Sequence, residues 1–503
     1  MITTKFRSER LEDAVADAWR GREKSPCFWW QGEWWSAERL LALADDCEAK
    51  LKGAGFGRGQ RVAVLLPNSP MVHALSIACW RLGGAVAPLN ARTGVANLIN
   101  TIKMLDVNAV VLTEESCKKA DGFPIDFPLV ATTLEGPLPS WQGRMGKPED
   151  EKTAVIFSTS GTSGLPKAVI CLHSNIIGNL TPISDHIPGL VKEESVFLNV
   201  LPNFHTFGCI IAGILPLIAG MKQAIVPNFV PVDNTVAAIK GAGVNKIIAV
   251  PTIMSFLLGA LAKKGERLRG IEHVVTGGDR LNIQLDKRCK EYLGVGIIEG
   301  YGLTECSPVV AANRTEDTRK LGTVGLPFAG YEVQIRDREN KLIGLHDEGV
   351  LWVKGPSVVP GYFRDEVNTK DRFRGEWFNT GDVVRIDDDG YIKIVDRATD
   401  IIIVSGFNVY PQEVEAVLCS HPAVHAAVAV GEKNNVAGEL VKAFIILNEG
   451  AEATPKELME YCKERLAHYK VPRKIGFVTE YPLSPTGKIL RRELRKMKIE
   501  KQQ

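Results

Sequence analysis

The chain has 503 residues, 45% of them hydrophobic and 24% charged, which is ordinary for a globular protein and too long for one ordinary core. Two or more domains are expected. The net charge is +2 and no basic stripe interleaved with aromatics runs along the sequence, so no nucleic-acid partner is expected.

The ten cysteines are scattered with no C-x-x-C pair and no Cys/His cluster, which predicts reduced, buried thiols in a cytoplasmic protein. The first residues, MITTKFRSERLEDAV, lack an apolar core, so no secretory signal is expected there. Phe28 to Trp35 reads FWWQGEWW, two aromatic strands around Gln31-Gly32, a hairpin pattern. Arg61 to Leu66 reads as a strand ending in the loop Pro67-Asn68-Ser69-Pro70, followed by a helix to about Leu82. Ala85–Pro88 and Ala109–Leu112 read as further buried strands, so layered sheets with helices outside are expected. The glycines at 53, 55, 57 and 59 do not fit G-x-G-x-x-G and precede a strand, so they are no dinucleotide fingerprint.

Ser158 to Lys167 reads STSGTSGLPK between the strand-like runs Thr153–Phe157 and Ala168–Leu172. Small residues with free N–H groups and hydroxyls, closed by a lysine, suit phosphate oxygens; a surface hairpin is the plain alternative. Asn203 to Gly208 reads NFHTFG, in which His205 is either a packed histidine or a functional one. The apolar stretch Cys209–Met221 is short of the ~20 residues a membrane span needs and reads as a buried helix. Glu299 to Glu305 reads EGYGLTE, after the strand-like Val295–Ile298 and leading into a helix. Its glycines admit close backbone approach. Tyr301 offers a flat face, Thr304 a hydroxyl, and Glu305 a carboxylate of the kind that shares Mg²⁺ with phosphates. A tight turn with incidental polar residues is the alternative.

From Tyr331 to Arg397 the sequence is strand-rich, and a smaller α+β unit follows. Val383–Ile386 and Tyr391–Val395 flank the turn Asp388-Asp389-Gly390, so Asp382 and Arg397 meet at the open end of one hairpin. They form a simple salt bridge or a grip on ribose hydroxyls. Thr454, Pro455 and Glu457 mark a capped helix start. Pro485 to Lys488 reads PTGK, in a loop before the basic helix Leu490–Lys498; alone, Lys488 is one more surface lysine.

STSGTSGLPK, NFHTFG, EGYGLTE, GEWFNTGD, DRATDIIIVSGFNVYPQEVE and SPTGKILRREL stand in the order seen in the adenylate-forming superfamily, which holds acyl-CoA synthetases, peptide-synthetase adenylation domains and firefly luciferase. The resemblance covers essentially the whole chain. EGYGLTECSPVV and VSGFNVYPQEVE most resemble bacterial fatty acyl-CoA ligases.

The resemblance implies an α/β fold: a large N-terminal domain of layered sheets (1–397) with a β-rich subdomain, a hinge (398–399) and a small mobile α+β domain (400–503). It implies that Ser158, Thr159, Ser160, Gly161, Thr162, Ser163, Gly164 and Lys167 hold ATP phosphates. Thr304 and Glu305 would serve phosphate and Mg²⁺. Tyr301 would stack on adenine, with Gly277, Gly278, Asp279, Arg280, Glu299, Gly300 and Gly302 around it. Asp382 and Arg397 would hold the ribose, and Lys488 the carboxylate and α-phosphate. His205 would lie beside an acyl pocket with Thr206, Val250, Cys306 and Val309; Ser405, Gly406 and Phe407 would flank the pantetheine tunnel. The implied reaction joins a carboxylic acid, by expectation a medium- or long-chain fatty acid, to coenzyme A through an acyl-adenylate. An aromatic acid, transfer to a carrier protein or amine, hydrolysis, or a binding-only descendant are the alternatives. No transmembrane segment is expected; peripheral membrane contact and a homodimer are left open. The hinge position, usually aspartate or lysine in the family, is Thr399 here.

Overall fold

The computed structural model describes residues 6–91, 95–119, 126–144, 151–160, 166–337, 339–344, 346–434, 437–483 and 489–499. The chain forms two compact units. One comprises residues 1–333, 353–378 and 390–392; the other comprises 334–352, 379–389 and 393–503.

The first unit is built on two large sheets. A six-stranded sheet runs in the order Leu129–Thr132, Ala109–Thr113, Arg61–Leu65, Ala85–Pro88, Thr153–Ser160, Pro166–Leu172. Its inner strands are parallel and the last pair is an antiparallel hairpin. A nine-stranded sheet holds His273–Thr276 between Lys246–Ala249 and Ile297–Gly302, with the hairpin Pro26–Trp30 and Glu33–Ser36 at one edge. Central strands such as Arg61–Leu65 and Lys246–Ala249 are buried along their whole length, which is why they read as continuous apolar runs rather than alternating ones. The one charge inside Lys246–Ala249 is satisfied. Lys246 Nζ donates to the Gly189 carbonyl and to Glu272, both at 2.8 Å, and lies 3.0 Å from His273 Nδ1.

Helices start where the sequence provides caps. Ser36 accepts from the Arg39 amide ahead of Ala37–Gly53, and Thr454 and Glu457 exchange the two bonds of a capping box ahead of Pro455–Lys463. The apolar run expected to be one helix from Cys209 is different. Phe207–Ile214 is a π-helix, followed by a single α turn, Leu215–Ile218. Gln223 Nε2 donates to the Gly213 carbonyl near the end of the wide turn, at 3.3 Å. No helix among the described residues is long and apolar enough to cross a membrane.

The second unit has its own apolar core, in which Ile402, Val409, Val414, Leu418, Val441, Ile445 and Leu458 are buried. Its main sheet pairs Val424–Asn434 with Gly438–Leu447, flanked by Ile402–Val404, Phe407–Val409 and Lys474–Phe477. Asp382 and Arg397 pack in this unit rather than with the preceding sheets. The expected boundary at 398–399 concerns which segment moves, and the compact units concern which residues pack.

Candidate active site

In the first unit, the C-terminal ends of parallel strands gather several expected residues. The strands ending at Thr276 and Glu299 are neighbours in register. Gly277 therefore faces Gly300: a Cβ on Gly277 would lie 3.0 Å from the Gly300 carbonyl and 3.9 Å from Phe207. A Cβ on Gly278 would lie 3.7 Å from Val250, which begins the helix Pro251–Lys264. Loop ends over a parallel sheet are where such folds place ligands.

EGYGLTE does not lead into an ordinary helix. The strand runs on to Gly302, a single 3₁₀ turn spans Thr304–Cys306, and the chain returns antiparallel as Val309–Ala312. The return strand explains Gly302. A Cβ there would sit 2.0 Å from the Pro308 carbonyl, so the glycine is required by the hairpin itself. The expected helix is absent because the residues after Glu305 pair back onto the sheet.

Glu299 is 7% exposed. Its Oε1 accepts from the Leu281 amide at 3.2 Å, and its Oε2 is buried with no partner among the described residues. Burial pushes its carboxyl up to about 7, against smaller opposing effects of the Leu281 amide and Arg280. The folded state thus holds this proton more tightly than the unfolded chain does. The stability it contributes is complete below the ordinary carboxyl range and is lost as pH rises towards 7. Glu299→Gln is expected to melt above the parent at pH 8, by up to roughly 3 kcal/mol of stability, and to converge with it near pH 5. Thermal melts at both pH values check this; an equal gap at the two would refute the burial argument.

Glu305 is positioned by a residue that motif reading missed. The Tyr362 hydroxyl donates to Glu305 Oε1 at 2.8 Å, and the Val359 amide donates to the Glu305 carbonyl at 2.9 Å. Burial and the adjoining Glu305 carboxylate raise the Tyr362 phenol well above its ordinary value, so it stays a donor. Lys167 Nζ lies 4.9 Å from the centre of the same ring, and Tyr362 pairs with Val169 beside it. Tyr362 thus links the end of the STSGTSGLPK hairpin to Glu305. Only its place in a Gly-Tyr-Phe turn, 361–363, offered a signal.

In that hairpin Ser158 pairs with Ala168, Thr159 with Lys167 and Ser160 with Pro166. Gly161, Thr162, Ser163 and Gly164 lie outside the described residues, as does Lys488.

His205 sits half-buried on a clamped loop. Its Nδ1 accepts from the Phe207 amide at 3.3 Å. Asn68, in the loop read as a simple strand end, accepts from the Asn203 amide at 3.0 Å and donates to the Leu201 carbonyl at 2.8 Å. Behind the loop is a cavity of about 20 Å³ lined in part by Asn68, His73, Asn199 and Asn203. Its volume suits one water and not an acyl chain. Thr206 is buried beside His205. Cys306 is fully buried at the end of the 3₁₀ turn, and its carbonyl accepts from both Asn179 and Tyr331. Val309 begins the return strand and is held through its amide and carbonyl by the same Asn179.

In the second unit, Arg397 Nε lies 2.6 Å from Asp382 Oδ1, with Asp382 buried and Arg397 half exposed. Ser405 and Gly406 form the two-residue turn between Ile402–Val404 and Phe407–Val409, with φ of +51° and +85°. Both left-handed conformations are what such a turn demands. A Cβ on Gly406 would meet nothing within 4 Å. Phe407 is exposed and stacks on Tyr469, centroids 4.6 Å apart. Leu483 and Ile489 pair across the base of the segment that carries Lys488.

Comparison with known proteins places this geometry in a family. The profile described as AMP-binding enzyme matches residues 15–363, and that described as AMP-binding enzyme C-terminal domain matches residues 413–488. A long-chain-fatty-acid–CoA ligase of Yersinia pestis is 30% identical, over 93% of this chain and 91% of that protein. A 2-succinylbenzoate–CoA ligase of Geobacillus kaustophilus is 32% identical, over 89% of this chain and 90% of that one. The solved o-succinylbenzoate coenzyme A synthetase of Bacillus subtilis, in complex with the acyl-adenylate intermediate OSB-AMP, is 26% identical with a TM-score of 0.85, over 97% and 99% of the two chains.

Proposed function

We propose, because the chain belongs to the AMP-binding enzyme family and is an AMP-forming acyl-CoA ligase, that its acid is a medium- or long-chain fatty acid. The observation that carries this reading is the likeness to long-chain-fatty-acid–CoA ligases, 30% identical over 90% or more of the chain, and the apolar Phe207 and Val250 stand beside the strand ends. Such side chains suit an alkyl chain, whose burial is worth ~0.8 kcal/mol per methylene. The succinylbenzoate ligase among the relatives favours a second reading, an aromatic acid.

The reaction has two halves. The acid's carboxylate oxygen attacks the α-phosphate of ATP and pyrophosphate leaves. The coenzyme A thiolate then attacks the acyl carbon and AMP leaves. In the first half, two anions must meet. Lys488 offsets that repulsion and stabilises the charge building on the α-phosphate, the role in which electrostatic catalysis is largest. Residues 158–167 hold the phosphates, and Thr304 and Glu305 face the same charge. Among the described residues no group of three or more His, Cys, Asp or Glu could hold a metal on its own. A single carboxylate fixed by Tyr362 fits Mg²⁺ that arrives with the nucleotide phosphates, where it would supply neutralising charge. Asp382, accepting, and Arg397, donating, suit the ribose hydroxyls, and Tyr301 the adenine face. Residues 398–399 are the pivot between two arrangements, the first presenting Lys488 and the second presenting Gly406.

ATP–pyrophosphate exchange with octanoate, palmitate, benzoate and 2-succinylbenzoate tests the acid; coenzyme A consumption with the best acid tests the acceptor. Exchange with the aromatic acids alone would overturn the fatty-acid reading. For the thiol's path, Gly406→Ala carries only the strain of the turn, whereas Gly406→Leu adds bulk. Leucine is expected to lower thioester formation at least ~10-fold, about 1.4 kcal/mol of barrier, with exchange retained. Alanine should stay within a few-fold of the parent. Equal losses would assign the effect to strain and take the thiol away from this residue.

A further inference from the structure

The helix that follows the Lys488 segment, Arg491–Lys496, is fastened to its own unit at several points. Leu494 is fully buried against Val428, Val430 and Phe444. Lys442, itself almost wholly buried, donates from Nζ to the carbonyls of Arg495 and Met497, each at 3.0 Å. Arg491 grips Glu415 through two bonds, at 2.5 and 3.1 Å, and donates to the Ala429 carbonyl at 2.8 Å. These contacts make the helix one body with the strands beneath it. The Leu490 amide donates to the Pro482 carbonyl at 2.8 Å, and Leu483 pairs with Ile489, so both ends of 484–488 are held by the same body.

Two side chains of this helix reach back to the pivot, and Arg491 Nε lies 3.9 Å from Asp400 Oδ2. Arg495 Nη2 donates to Asp400 Oδ1 at 2.7 Å and to the Thr399 carbonyl at 3.3 Å. On the other side of the pivot, the Ala398 amide donates to the Gly381 carbonyl at 2.9 Å, joining it to the strand that carries Asp382. The chain therefore changes partner within two residues: at the Ala398 N–H it belongs to the upstream strand, and at the Thr399 C=O it belongs to the terminal helix. The torsions between these two bonds belong to a turn that the Asp400 and Ile401 amides close on the Arg397 carbonyl, at 2.9 and 3.2 Å.

We propose that Arg495 and Asp400 are positioning residues for the ligase reaction, forming a clasp that ties the terminal helix, and with it the described residues that flank Lys488, to the pivot. The proposal rests on the reading of Lys488 and residues 398–399 given above. Hinge motion needs a few residues that absorb large torsional changes and stiff bodies on either side. Arg495 stiffens the downstream side. Its Nη2 alone serves one carboxylate and one carbonyl together, at a reach and orientation that a lysine's ammonium matches only in part. The clasp touches no substrate, so its loss acts on the placement of Lys488 in the transition state and not on ground-state binding.

The test uses the full-length enzyme with whichever acid the parent adenylates. Arg495→Ala is expected to lower kcat of pyrophosphate exchange ~10-fold, while KM for ATP and acid stays within two-fold and the melting temperature within a few degrees. Asp400→Asn, which keeps the shape, should show the same split, and Arg495→Lys should recover only part of the rate. A drop in melting temperature with unchanged kcat per folded molecule would make the contact merely structural and overturn the proposal, as would a rise in KM at constant kcat. Should Arg495→Ala not fold, Asp400→Asn decides alone by the same two readouts. A parent enzyme that adenylates no acid would defeat the functional reading; a working parent with unaffected variants would defeat only the clasp.

Discussion

Lys488→Ala is expected to lower ATP–pyrophosphate exchange by ~10²–10³, about 2.7–4 kcal/mol of barrier, and to leave acyl transfer from a preformed acyl-adenylate within a few-fold of the parent. The first half-reaction brings a carboxylate to an already anionic phosphate, and a fixed positive charge is worth most where new charge develops. In the second half-reaction a thiolate meets a neutral acyl carbon and the leaving AMP is a stable anion, so the same lysine has no comparable task. Leu483 and Ile489, the described residues on either side of 484–488, pair with each other. Lys488→Arg keeps the charge with a different reach and should recover part of the exchange. Both half-reactions can be followed separately by rapid mixing. Equal loss in the two would overturn the assignment.

Much of the site was legible because motifs and secondary structure coincide. Residues 158–160 and 166–167, the described ends of the small-residue run, lie on the paired strands the pattern predicts, and Asp382 and Arg397 meet as the turn at 388–390 requires. Period-two and turn signals are local, and they survive in isolation. What the sequence hid is long-range. Tyr362 fixes Glu305 across 57 residues, and nothing near either residue announces the pairing. Asn68 clamps the His205 loop across 135 residues in the same way. The chain after Glu305 folds back as Val309–Ala312 instead of continuing as a helix, which buries Cys306 at the turn. The wide turn over Phe207–Ile214 was equally invisible, because α- and π-helices draw on the same apolar residues and differ in their backbone bonding.

Thr399→Pro is expected to split the two half-reactions by ~10² or more, equivalent to about 2.7 kcal/mol of added barrier on the slower one. Residues 397–400 form a hydrogen-bonded turn, in which the Asp400 amide donates to the Arg397 carbonyl at 2.9 Å. Thr399 is the third residue of that turn. Proline at this position fixes its own φ and forces Ala398 out of the helical region that the common turn type needs. Both residues lie between the Gly381 bond of Ala398 and the Arg495 bond of Thr399, so proline acts on the turn torsions at the point where the chain changes partner. An enzyme that must visit two arrangements through those torsions then reaches one of them readily and the other rarely. Thr399→Lys, by contrast, alters no backbone preference of this kind and restores a residue type usual at this place in the family. It should keep both rates within a few-fold. Rapid-mixing measurement of adenylation and of thioester formation in the two variants decides the point. A proline variant that loses neither rate, or loses both equally, would place the pivot outside residues 398–399.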